Sequence, residues 1–179
     1  GFASGASARE RMNMQRVYGV VGWKNMGKTT LVERLVATFA ARGFTVSTIK
    51  HAHHQVDVDH EGKDSWRHRA AGAGEVLVAS SSRWALMHEL RGATPPSLAE
   101  LLARLSPCDL VLVEGYKRDG HAKVEAALRQ GREGLIAAHD DTVKAVAAGY
   151  ETGPLDRARF DLNDVEAIAD FIAAEVGLG

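Results

Sequence analysis

The side chains best suited to chemistry lie between positions 22 and 29, which read Gly-Trp-Lys-Asn-Met-Gly-Lys-Thr. This is the G-x-x-x-x-G-K-[ST] spacing of a phosphate-binding loop. Gly22 and Gly27 let the backbone turn tightly and approach a polyphosphate. Successive N–H groups, those of Lys24, Asn25 and Met26 among them, then face the negative charge together with the start of the next helix. Lys28 can reach the β- and γ-phosphates, and the Thr29 hydroxyl can ligate Mg²⁺, with Thr30 next in line. The expectation is a site for a nucleoside triphosphate.

Glu114 is the second candidate. It ends the apolar run Leu110-Val111-Leu112-Val113, and an acid there can hold Mg²⁺ or polarise an attacking water. A third candidate is Lys50-His51-Ala52-His53-His54 with Asp57, Asp59 and Asp64. It leaves the C-terminal end of an expected strand, where ligands of open α/β sheets bind. Asp59 is the first choice for a further acid near Mg²⁺, ahead of Asp57 and Asp64. The histidines are also candidates for a transition metal, although their spacing is not that of a closed zinc site. Trp84, in Arg83-Trp84-Ala85-Leu86, is expected in the core. Arg83 and Lys117 are candidates for anion binding. Asp140 and Asp141 are read as following a strand over 135–138. A carboxylate at a strand end can accept two hydrogen bonds from the N1–H and N2–H₂ edge of guanine, and adenine lacks that pair of donors.

The elements that must position these groups follow from periodicity. The apolar run 17–21 suits a buried parallel strand. Leu31, Leu35 and Phe39 repeat every fourth residue along one helical face, which Arg42-Gly43 ends. A strand is expected over 44–49, giving a β-α-β unit with a right-handed crossover. A short helix starts at Asp64 or Ser65, and 75–79 with 83–89 reads as an antiparallel hairpin turning at Ser80-Ser81-Ser82. Leu98, Leu101, Leu102 and Leu105 mark a helix stopped by Pro107. Strands are expected over 109–113, 123–128, 135–138 and 143–148. A last amphipathic helix carries Val165, Ile168 and Ile172, capped by Asn163 with Glu166 three residues on. The fold class is therefore α/β, a mixed, mostly parallel sheet flanked by helices. A single domain is expected over 17–179, preceded by a flexible segment, 1–16, in which Met12 or Met14 is a candidate natural start.

Composition narrows the partners. A net charge of −1 offers no reason for a nucleic-acid or membrane-surface partner. No run of ~18 apolar residues is present to cross a membrane. The single cysteine, Cys108, excludes an internal disulfide and a Cys-based zinc site, agrees with a reducing cytoplasm, and is expected to be a small packing residue.

The ordered set is distinctive: Gly22 to Thr30, Lys50-His51-Ala52-His53-His54, Asp59, Gly62-Lys63-Asp64-Ser65, Arg69-Ala70-Ala71-Gly72-Ala73, Val78-Ala79-Ser80, Arg83-Trp84-Ala85-Leu86, Val113-Glu114-Gly115-Tyr116-Lys117 and Asp140-Asp141. Over about residues 17–175 it resembles the MobB family, the adaptor proteins of molybdopterin-guanine dinucleotide biosynthesis. The resemblance implies a P-loop NTPase fold and a cytoplasmic, GTP-binding homodimer with Mg²⁺ and weak GTPase activity. It implies assistance to a molybdenum cofactor guanylyltransferase, with molybdopterin and a molybdenum-insertion protein as further partners. Gly22, Gly27, Lys28 and Thr29 match the phosphate loop. Asp59 and Glu114 match acids near Mg²⁺, and Asp140 or Asp141 matches the region that reads guanine. Lys24 does not directly follow the first glycine, where relatives in the wider dimeric NTPase class place a second catalytic lysine, and slow hydrolysis fits that absence. Arg69 and Arg83 are the candidates for an arginine finger. The competing expectations are an ATP-dependent small-molecule kinase or ligase and a metallochaperone-type NTPase using His51, His53, His54 and His60.

Overall fold

The computed structural model describes residues 15–53, 58, 59 and 61–179. His54, Asp57, His60 and the segment before Gln15 lie outside the described residues. The chain divides into two compact units, 1–51 with 97–179, and 52–96.

The first unit contains strands β1 (Val17–Val21), β2 (Val46–Lys50), β5 (Leu110–Glu114), β6 (Lys123–Ala127), β7 (Val143–Ala148) and β8 (Ala158–Asp161). They form one sheet in the order β2-β5-β1-β6-β7-β8, and every pairing in it is parallel. Residues of β5 alternate between two cores, Leu110 and Leu112 on one face and Val111 and Val113 on the other. Burial on both faces explains why the strand reads as an unbroken apolar run. Helix α1 (Lys28–Ala41) buries Leu31, Leu35 and Phe39 against Tyr18, Val20 and Leu112. Helix α4 (Val165–Val176) adds Ile168 and Ile172 to the same cluster. The short helix α3 (Leu98–Leu102) covers the other face with Leu98 and Leu102, and its start carries a capping box between Ser97 and Glu100. Cys108 packs beside it, as expected.

The strand order reverses around β1, which has β5 on one side and β6 on the other. The end of β1 is therefore the switch point at which α/β sheets bind ligands.

Three local expectations are corrected. Residues 136–138 form a 3₁₀ turn, not a strand. The buried Glu125 carboxylate accepts the N–H groups of Ile136 at 2.7 Å and Ala137 at 2.9 Å, so those donors are unavailable to a ladder. Strand β8 was not foreseen, being four residues long. The cap of α4 is Asp164, which accepts from the Ala167 N–H at 3.2 Å. Asn163 instead accepts from Arg34 Nη1.

The second unit holds helix α2 (Asp64–Ala70) and the hairpin of β3 (Glu75–Ala79) and β4 (Trp84–His88). The antiparallel part of the expected mixed sheet is thus a separate two-stranded sheet. Register pairs Leu77 with Leu86 and Ala79 with Trp84, so these four share one face. That face is open: Trp84 is 70% exposed, Leu77 61% and Leu86 45%. Trp84 is not a core residue, because two strands have too little sheet to bury both faces.

Candidate functional site

The loop at 22–27 leaves β1 and enters α1. Gly22 is required by close approach, since a Cβ there would meet the Ala126 carbonyl oxygen at 2.6 Å. Gly27 is the N-cap residue at φ 94, in the left-handed region. No side chain caps this helix, and its first turn carries no acid. Its leading N–H groups therefore face outward with their partial positive charge uncompensated, which suits an anion. Met26 itself is buried, and its carbonyl accepts from the Leu128 N–H, tying the loop to β6. Trp23 is anchored twice: its indole N–H donates to Gly134 O at 2.9 Å, and the Lys117 ammonium lies 4.1 Å from the ring centroid. Lys24, Asn25 and Thr30 are exposed.

Glu114 is buried at the end of β5 and meets the loop directly. Its Oε1 accepts from the Thr29 hydroxyl at 2.5 Å, and its Oε2 pairs with Lys50 Nζ at 3.2 Å. The structure thus brings Thr29 and Glu114 together. Burial pulls the Lys28 pKa below its ordinary value; Glu114 opposes this, and the nearby Lys117 and Lys50 add to the lowering. Lys50 pairs with Glu114, and Lys28 feels the charges of Glu114, Lys117 and Lys50, an excess of cations suited to a polyanion.

Thr29 and Glu114 offer a hydroxyl and a carboxylate, hard oxygen donors of the kind Mg²⁺ takes alongside phosphate oxygens. The residues present fit that ion.

Asp59 belongs to the second unit and is paired there with the Arg69 guanidinium, which also donates to Glu89 Oε1 at 2.7 Å. The Arg69 hydrogen bond holds the Asp59 pKa below the usual carboxylate range. Among the described residues, no group of three or more His, Cys, Asp or Glu is set to hold a metal. His51 stacks on Tyr116 with ring centroids 4.4 Å apart.

Asp140 and Asp141 are placed differently from expectation. They precede β7 rather than follow a strand. Asp140 Oδ1 accepts from both the N–H and the hydroxyl of Thr142, at 2.9 and 2.6 Å. Burial raises its pKa, but those hydrogen bonds with Lys123 and Arg157 hold it below the ordinary value. Because β7 and β1 run in the same direction, these acids sit at the sheet edge opposite the phosphate loop. Six residues of strand, about 20 Å, separate the two edges. A nucleotide held by Gly22 to Thr30 does not reach them within the same chain.

Sequence reasoning missed the residues that surround the loop. Leu162, after β8, has Cδ2 3.4 Å from where a Cβ on Gly27 would stand. Local pattern marks Lys50 only as the start of the His-rich segment. Its role depends on the β2–β5 register, which no local pattern announces.

Comparison with known proteins agrees with this geometry. Residues 17–149 match the family model described as MobB, molybdopterin guanine dinucleotide synthesis protein B. A molybdopterin-guanine dinucleotide biosynthesis adapter protein of Haemophilus influenzae is 41% identical over 162 residues, covering 89% of each chain. The Escherichia coli K12 protein of the same description is 43% identical over 156 residues, covering 84% of this chain and 87% of that one. The crystal structure of a MobB homolog from Bacillus stearothermophilus superposes with a TM-score of 0.70 at 30% identity, covering 92% of this chain and all of that one. With the family model spanning most of the chain and relatives alike along nearly their whole lengths, the chain belongs to the MobB family, molybdopterin guanine dinucleotide synthesis protein B.

Proposed function

We propose that this protein is a GTP-binding adapter in molybdopterin guanine dinucleotide biosynthesis. In this reading it assists a molybdenum cofactor guanylyltransferase and hydrolyses GTP slowly. The observation that carries the reading is the uncapped start of α1 behind Gly27, with Lys28 beside it and Thr29 bonded to a buried acid. Gly22 through Thr30 enclose the phosphates, Lys28 neutralises the β- and γ-oxygens, and Thr29 with Glu114 holds Mg²⁺. The bound ion would neutralise charge that builds on the phosphate oxygens. The described phosphate-loop surroundings supply binding groups more clearly than hydrolytic ones. A partner that completes the site would convert binding into turnover, which suits an adapter. The names of the relatives support the pathway. The protein acts as a homodimer, for which the open face of Leu77, Trp84 and Leu86 is the supporting feature.

Calorimetric titration with GTP and with ATP, each with and without Mg²⁺, tests this. We expect selective, Mg²⁺-strengthened GTP binding that weakens at least about tenfold in Lys28→Ala, which removes a charge-assisted contact. Preferential or equal ATP binding would overturn the guanine assignment. Turnover above ~1 s⁻¹ without a partner, the range of ordinary enzymes, would overturn the adapter assignment.

A further inference from the structure

Lys50 ends β2 and Glu114 ends β5, and the two are register partners across parallel strands. Neighbours in register project from the same face of a sheet, so the pairing is imposed by the backbone. The ion pair spans 3.2 Å, between a lysine side chain that is 62% exposed and a carboxylate that is 8% exposed. The ammonium therefore covers the acid from the solvent side. The backbone beneath it is fixed. The His51 N–H donates to Glu114 O at 2.9 Å, and the His51 ring stacks on Tyr116. What can move is the lysine's four-carbon stem, with a compact charge at its tip.

The charge arrangement gives that freedom a use. Burial lowers the Lys28 pKa, Glu114 opposes the shift, and the charges of Lys117 and Lys50 add to it, so Lys28 feels all three groups. Three ammonium groups against one carboxylate leave an excess of two positive charges. A magnesium-complexed nucleoside triphosphate carries more negative charge than the diphosphate complex, by its terminal phosphoryl group. Lys28 belongs to the loop and serves either nucleotide. Lys117 is engaged on the Trp23 ring. Lys50 stands outside the loop, on the one acid that Mg²⁺ would share.

Resting on the nucleotide-binding reading above, we infer that Lys50 reads the terminal phosphate, exchanging a carboxylate oxygen of Glu114 for a γ-phosphate oxygen. The exchange makes triphosphate binding tighter than diphosphate binding. It also provides within one chain a second cation at the terminal phosphate, since Trp23, not a lysine, follows Gly22 and the loop's other lysine, Lys24, is exposed.

The test is calorimetric titration at saturating Mg²⁺ with GDP and with a non-hydrolysable GTP analogue. The proteins are wild type, Lys50→Ala and Lys50→Arg, with circular dichroism and melting as checks on folding. We expect Lys50→Ala to weaken the triphosphate about tenfold, as loss of one charge-assisted contact does, and the diphosphate by less than about twofold. Lys50→Arg should recover part of the preference. Equal loss for both nucleotides, or no loss for either, in a folded Lys50→Ala protein overturns the inference and leaves nucleotide binding standing. Failure of the wild type to bind either nucleotide overturns both.

Discussion

Gly22 shows how one residue can be fixed by its surroundings. The Ala126 carbonyl stands 2.6 Å from where its Cβ would be, and backbone atoms yield little. Gly22→Ala must push the loop off β6, so the loss falls on binding as well as on stability. We expect a destabilisation of about 1–3 kcal/mol, the range for overpacking, together with loss of nucleotide affinity. Thermal melting and calorimetry check the two effects, and wild-type values in both would show that β6 gives way freely. Lys123 shows the opposite case, a charged group serving structure. It is fully buried and donates to the carbonyls of Asp119 and His121 and to the Thr142 hydroxyl, 2.7 Å away. Its sequence position, starting a strand, gives no hint of this. Glu125 is likewise a buried acid used for holding a turn. Against these, Glu114 stands out because both its oxygens face groups of the phosphate site.

At the scale of elements, the β3–β4 hairpin is the one most in need of a partner. A two-stranded hairpin is marginal alone in water. Here α2 borders it while Leu77, Trp84 and Leu86 stay open. If that face joins two copies of the chain, a charge placed in it should separate them. We expect Trp84→Glu to shift the protein from dimer to monomer in sedimentation equilibrium while circular dichroism stays unchanged. A Trp84→Glu protein that sediments as the wild-type dimer would move the interface elsewhere. The hairpin itself was legible from two short strand-like runs, 75–79 and 83–89, and the Ser80-Ser81-Ser82 turn between them. Its isolation from the main sheet was not, because strand pairing is decided at long range. Helix α1 was legible for the opposite reason, since its 3.6-residue apolar period and its terminal glycines are local.

At the scale of the whole molecule, His121 links the fold to pH. Its ring nitrogens are buried without a hydrogen-bond partner. Burial, then the Lys123 charge, lowers its pKa from 6.5 to about 4. Between those values the unfolded chain takes up a proton that the folded protein refuses. Stability is therefore complete above pH 6.5 and declines as pH falls toward 4, by an amount on the order of 3 kcal/mol. Melting temperatures from pH 7 to 4 should fall less steeply in His121→Leu than in the wild type. An identical slope would assign the acid sensitivity to other groups. The carboxylates of Asp59, Asp109, Asp140 and Asp156, all held below their ordinary range, act at lower pH, while burial raises the Glu125 carboxyl above its ordinary value and works in the opposite sense.

The phosphate-loop spacing, the acid at a strand end and the α/β class are legible in the chain alone, because each rests on local pattern. A loop of fixed length, an apolar run and a helical period are properties of neighbouring residues. Tertiary structure decided which groups share a site. The parallel pairing of β2 with β5 set Lys50 beside Glu114, though 64 residues separate them in the chain. The common direction of β1 and β7 placed Asp140 and Asp141 at the far edge, where a pair of acids had looked suited to a base. Register and strand direction depend on which strands meet after the chain has closed large loops. No short stretch of sequence carries that information, because the contacts that fix it lie between residues far apart along the chain.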